Sequence, residues 1–198
     1  MLEVKNWQVY GLEKSIIASG NPTRRGEIEN RPLEDNDWYR AQKLGSMPTG
    51  LGHDHYLIGI RVIFDIKYPQ YWSMEAQRYH WFDIISSQSK MHTLCISPAK
   101  ISDFNKYVDP DIVERINVYI KNYQEAQTKS DKYFHFMKTL SNLPMGFELW
   151  MTCTLSYLQL KTIVKQRKNH YLQEDWGVFC NWALSLPHFS ELTGIQGE

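Results

Sequence analysis

Five polar or ionisable residues, Glu75, Gln77, Arg78, His80 and Asp83, fall on one short stretch that is otherwise rich in apolar and aromatic positions. Four small polar residues, Ser86, Ser87, Gln88 and Ser89, follow directly. A charge taken out of water is costly unless paired, so such groups either close an internal network or meet a ligand. His80, assisted by Asp83 or Glu75, could act as acid or base. Tyr79 and Trp81 offer flat faces on which a base could stack. Far along the chain, Arg167 lies four residues after Ile163 and seven after Leu160, on the same helical face as an apolar stripe. An inward arginine must find an anion, and its planar fork suits either a carboxylate such as Glu75 or Asp83 or a bound phosphate. Lys165, Lys168 and His170 make that neighbourhood locally basic.

These side chains need elements to hold them. Ile58, Ile60, Val62, Phe64 and Ile66 alternate with Gly59, Arg61, Ile63 and Asp65, which predicts a strand over Tyr56 to Ile66 with one face in the core. Pro69 suits the first position of a helix, and Trp72, Ala76 and Tyr79 then recur at helical spacing. Tyr71, Met74 and Phe82 occupy its other faces, so that helix is expected to be buried nearly all round. Ser86 to Ser89 reads as a loop. Earlier in the chain, Val4 to Tyr10 reads as a strand, Leu12 to Ser19 as a short helix, Thr23 to Asp37 as a charged surface loop or flap, and Trp38 to Leu44 as another short helix. In that flap Arg24 and Arg25 are either solvated or able to reach a phosphate. Asp109 followed by Pro110, Asp111 and Glu114 is a strong helix start, and the helix or helix pair runs to about Leu143 with a break near Thr128 to Ser130. Phe147 to Leu155 is a second strand, and Trp176, Phe179, Cys180 and Ala183 set a last amphipathic helix that stops before Pro187.

The 198 residues suit one domain with a real core. Charge balances at 22 basic against 22 acidic residues, which argues against a general electrostatic grip on nucleic acid or an acidic membrane. Aromatics make up 14% of the chain and serve equally as core filling or stacking surface. Cys95, Cys153 and Cys180 are widely spaced and odd in number, which indicates neither a zinc site nor a disulfide framework and suits a reducing cytoplasm. No apolar run approaches a membrane span, and the start of the chain lacks a secretory pattern. A dinucleotide fingerprint, a P-loop, a nucleophile elbow and a zinc-protease motif are all absent.

The stretch from Gly52 to His92 resembles the flavin-dependent thymidylate synthases, whose core carries a GHxSxLEH turn and strand, a helix with RHR and a loop ending SxRY. Gly52, His53, Leu57, Phe64 and Ile66 fall on the turn and strand without a gap. Tyr79, His80 and Trp81 lie on RHR, or Arg78 on its first arginine after a slip of one residue. Ser89, Met91 and His92 lie on SxRY, while Arg167 and Gln173 match the final arginine and the glutamine of the family's C-terminal NxRxLLxFxxLR…AQ segment. Ile58, Ser156 and Leu158 stand where the family has Glu, Asn and Arg. The resemblance implies an α+β fold, a central and mostly antiparallel sheet packed with long helices, and a homo-oligomer, in the family a tetramer whose sites are shared between chains. It further implies flavin at the triplet and deoxyuridylate at the serine and the C-terminal arginine. Each lost charged donor to a phosphate removes roughly 1.5–3 kcal/mol. The expected ligand set is therefore Arg78, Tyr79, His80, Trp81, Ser86, Ser87, Gln88, Ser89, Arg167 and Gln173 around a small-molecule nucleotide, with no cofactor, and FAD only if the chain is an enzyme. Such chains also resemble small bacteriophage proteins, which points to a cytoplasmic nucleotide-binding sponge that captures a nucleotide or an immune signal. The alternative is a thymidylate synthase-like or other nucleotide-modifying enzyme.

Overall fold

The computed structural model describes residues 1–28 and 30–197. Four strands, β1 (Glu3–Tyr10), β2 (Arg61–Pro69), β3 (Asp83–Ser87) and β4 (Glu148–Ser156), form one antiparallel sheet in the order β1-β2-β4-β3. Pleat alternation turns Val62, Phe64 and Ile66 of β2 and Met151, Cys153 and Leu155 of β4 to one face, where all are buried. Phe64 there meets Phe82, Phe179 and Trp182 at ring-centroid distances of 4.5 to 6.4 Å. The opposite face carries Asp65, Thr152 and Thr154, which stay partly exposed.

Around the sheet lie α1 (Leu12–Ala18), α2 (Asp35–Gly45), α3 (Gln70–Ala76), the short α4 (Lys90–Thr93), the hairpin α5 (Pro110–Glu125) and α6 (Lys129–Ser141), α7 (Tyr157–Arg167), α8 (Val178–Leu184) and α9 (Phe189–Thr193). The architecture is the expected α+β arrangement. The hairpin is two helices, with Thr128 capping the second by accepting from the Asp131 amide at 3.1 Å. Ser156 and Gln159 form the reciprocal cap that starts α7. No helix among the described residues is long and apolar enough to cross a membrane.

Four expectations fail along the central stretch. His55–Gly59 forms a 3-10 helix rather than strand, and Ile58 faces outward. The cause is close packing: Gly59 lies so near α1 that a β-carbon there would overlap the Ser15 hydroxyl. Pro69 ends β2 instead of opening a helix, with an extended backbone (φ −74°, ψ 149°). The helix after it covers only seven residues and exposes Met74, because Tyr79 and Phe82 turn inward and the following residues leave to pair with β4. The supposed hydroxyl loop is therefore largely an edge strand, with Ser86 opposite Thr152 and Ser87 opposite Met151.

One buried charge ties distant segments together. Lys161 on α7 is wholly inaccessible, and its ammonium donates to the carbonyls of Gly45 and Met47, each at 2.7 Å, and to Asp54 Oδ2 at 2.6 Å. Three donors meet three acceptors. Replacing Lys161 by Met leaves Asp54 without its counter-charge, so Lys161→Met should cost about 3–5 kcal/mol. Urea unfolding measures it, and an unchanged midpoint would show that the ion pair does not hold the fold.

Candidate functional site

Arg167 finds its anion inside the chain. It ends α7, with its Nε donating to the Tyr79 hydroxyl at 3.0 Å and its Nη1 lying 3.5 Å from Glu75 Oε2. The guanidinium carbon sits 4.8 Å from the Trp176 ring centroid and 5.6 Å from that of Tyr79. Glu75 also accepts from Trp176 Nε1 at 2.8 Å, and His170 Nε2 stands 3.6 Å from it. Tyr79 passes its own proton toward Gln166 Oε1 at 2.8 Å. The result is a closed cluster in which cation, carboxylate and aromatic faces satisfy one another.

The neighbouring candidates divide around it. Trp81 stacks obliquely on Tyr79 at 5.0 Å, and its carbonyl accepts from Gln159 Nε2. Arg78 and His80 are exposed. Asp83 pairs with Arg61 Nη2 at 3.0 Å. Gln173 turns its amide back onto the carbonyls of Lys168 and His170, just past the end of α7. It belongs to a π-helical turn, Gln173–Gly177, of a kind often found at functional sites.

Ser86, Ser87 and Gln88 lie elsewhere, in a cleft of about 530 Å³ on the sheet face that the Phe64 cluster leaves free. Lys5, Asn6, Asp65, Trp150 and Thr152 complete it. Asp65 accepts from Thr152 Oγ1 at 2.6 Å and from Asn6 Nδ2 at 2.9 Å, and both bonds hold its carboxyl below the usual carboxylate range. Asn6 reaches it from a bulge in β1 with φ +52°, a conformation rare outside glycine. Gln88 continues the ladder by exchanging bonds with both backbone groups of Trp150. Ser89 falls outside the cleft and opens α4. The ten expected ligand residues thus do not line one pocket within the chain: the sheet edge holds the hydroxyls, and the end of α7 holds the arginine.

A larger cavity, about 680 Å³, was not expected from the sequence. Its walls include Asn21, Arg40, Lys43, His53, His55 and Tyr56. Asn21 Oδ1 is buried there and accepts no hydrogen bond. Arg40 is steadied by Ser19 Oγ at 3.1 Å and by Asp37. Asp37, only 1% exposed, also takes Arg31 at 2.6 Å, with Arg24 3.8 Å away, so the flap arginines Arg24 and Arg31 face a carboxylate rather than free solvent. The local signal was present in the spacing of His53 and His55 beside Gly52, but Asn21 and Arg40 come from segments that reveal nothing alone.

No family model matches the chain, and no curated protein matches it in sequence. Solved structures do. Two structures of flavin-dependent thymidylate synthase from Helicobacter pylori, both with FAD and dUMP, superpose at a TM-score of 0.65. One is 12% identical and covers 97% of this chain and 96% of its own; the other is 15% identical and covers 98% and 97%. The chain therefore has a flavin-dependent thymidylate synthase-like fold.

The arginine cage around Asp37 has a pH signature. The Arg31 hydrogen bond, with Arg40 adding to it, holds the Asp37 carboxyl far below its ordinary value against the opposing effect of burial. A carboxyl depressed in the folded state stabilises above its unfolded pKa, about 4, and that contribution is lost as pH falls further. Unfolding free energy should decline between about pH 4 and pH 2, and Asp37→Asn should flatten this acid limb in urea titrations. A variant with the wild-type slope would contradict the assignment.

Proposed function

We propose that this protein binds a nucleotide and retains it without chemistry. The fold supports the ligand class, since structures that share it hold dUMP and FAD. The observation that carries the non-catalytic part is the state of the candidate acids. Glu75 is paired with Arg167 and Trp176 and Asp83 with Arg61, while His80 is exposed, which supports a reading without an acid–base pair at His80. A general base must lie within hydrogen-bond reach of the proton it takes. A nucleotide phosphate would engage Arg167 by exchanging with Glu75, while Tyr79, Trp81 and Trp176 offer ring faces to the base. Capture of a signalling nucleotide by a phage-encoded oligomer extends the same reading.

The second reading is an enzyme of the thymidylate synthase type, favoured by the FAD and dUMP in the two similar structures. The 680 Å³ cavity, with its apolar lining, basic rim and unpaired Asn21 acceptor, would then be a place for a large planar group.

Denaturing the purified protein and recording absorbance and mass of the released molecule separates the two. Capture predicts an intact nucleotide with no flavin band, and Arg167→Ala should weaken its rebinding about ten- to a hundredfold, the loss of one charged hydrogen-bonding group. A yellow protein, or tritium release from labelled deoxyuridylate, would establish the enzyme reading in its place. No binding to any of a broad nucleotide panel would remove both.

A further inference from the structure

The cleft of about 530 Å³ on the open face of the sheet stands apart from the Arg167 cluster, and neither Arg167 nor Ser89 lines it. Its charges balance. One cation, Lys5, and one anion, Asp65, line it, and the Lys5 ammonium is already drawn to Glu3 at 2.6 Å. No unopposed positive field is left there for a phosphate, and the other polar side chains of the lining are hydroxyls and amides.

Those groups still offer acceptors and donors side by side. Asp65 takes one bond on each oxygen, from Thr152 at 2.6 Å and from Asn6 at 2.9 Å, and a carboxylate has room for about four. The two bonds therefore fix the carboxylate and leave each oxygen able to accept again. Gln88 gives its Oε1 to the Trp150 amide at 3.0 Å, and among the described residues its NH2 group donates to nothing. Trp150 adds a flat face, with the Lys5 ammonium 5.7 Å from its ring centroid. Lys5 is itself half exposed, so it can yield that face without breaking a buried contact.

One ligand class suits both parts. A sugar ring carries hydroxyls that each donate and accept, and a face of C–H bonds whose partial positive charge meets the negative face of an indole. Such a ligand needs no net charge on either side. We propose that the cleft binds a neutral pyranose sugar, with ring hydroxyls on Asp65 and Gln88 and the C–H face on Trp150. The proposal does not rest on the nucleotide reading.

Saturation-transfer NMR of the full chain with the methyl pyranosides of glucose, galactose and mannose, and with maltose and cellobiose, tests it. The expected result is transfer to the ring protons of at least one of them, with a Kd on the order of 1 mM, as suits an open and wet cleft. UMP should not compete. Asp65→Asn and Trp150→Ala should each weaken binding at least about tenfold with circular dichroism unchanged. If Trp150→Ala disturbs the sheet, Asp65→Asn decides alone, since it keeps the shape of the side chain and an oxygen for the Thr152 hydroxyl. No transfer to any of these sugars, transfer to uridine alone, competition by UMP, or sugar binding that Asp65→Asn leaves intact would overturn the proposal.

Discussion

The Lys161 ammonium is the constraint from which much of the arrangement follows. An ion of this kind is tolerated away from water only when every donor is met, and here the partners come from the end of α2, the turn after it and Asp54. The long connection between α2 and β2 is thereby fastened to α7, and α7 is the helix that ends in Arg167. His53 and His55 flank Asp54 in sequence, so the same bond fixes where the 680 Å³ cavity receives its imidazoles. Lys165, one turn along α7, has its pKa lowered by burial and by the nearness of Lys161.

The charges nearest the candidate sites are also engaged in internal pairs. Asp37 gathers Arg31 and Arg40, Glu75 holds Arg167, Asp83 holds Arg61, and Lys67 reaches the buried Glu148. This economy separates positioning from chemistry. A guanidinium clamped between two aromatic rings and a carboxylate is preorganised for an anion, but only for one able to compete with Glu75. On the proposed reading, selectivity would lie in that exchange rather than in the number of basic residues, in a chain of zero formal net charge.

What could be read from the sequence was the local part of the structure. The helical spacing of Arg167 after Leu160 and Ile163 called for an anion, either a carboxylate such as Glu75 or Asp83 or a bound phosphate, and within the chain Glu75 lies 3.5 Å from it. The start at Asp109 and Pro110, the break near Thr128 and the strand near Phe147 to Leu155 follow from caps and periodicity and stand within a residue or two. What failed depended on distant partners. Ile58 and Ile60 keep the alternation of a strand, yet the packing of Gly59 on Ser15 draws the chain into a 3-10 turn. Ser86 and Ser87 have loop-like composition, and pairing with β4 makes them strand. The division of the site into two faces has no local signature at all, since it depends on which side of the sheet α7 covers.

The Asn6 bulge has a consequence beyond the cleft it serves. β1 and β3 are the outer strands, and an outer strand presents unpaired backbone groups to which another chain can add. A left-handed residue in the middle of β1 breaks that row of amides and carbonyls, and the exposed Lys5 places a charge beside the break. The same residue that delivers a carboxamide to Asp65 therefore also caps the sheet at four strands, protecting a small aromatic-rich protein from growing by accretion along its own edge.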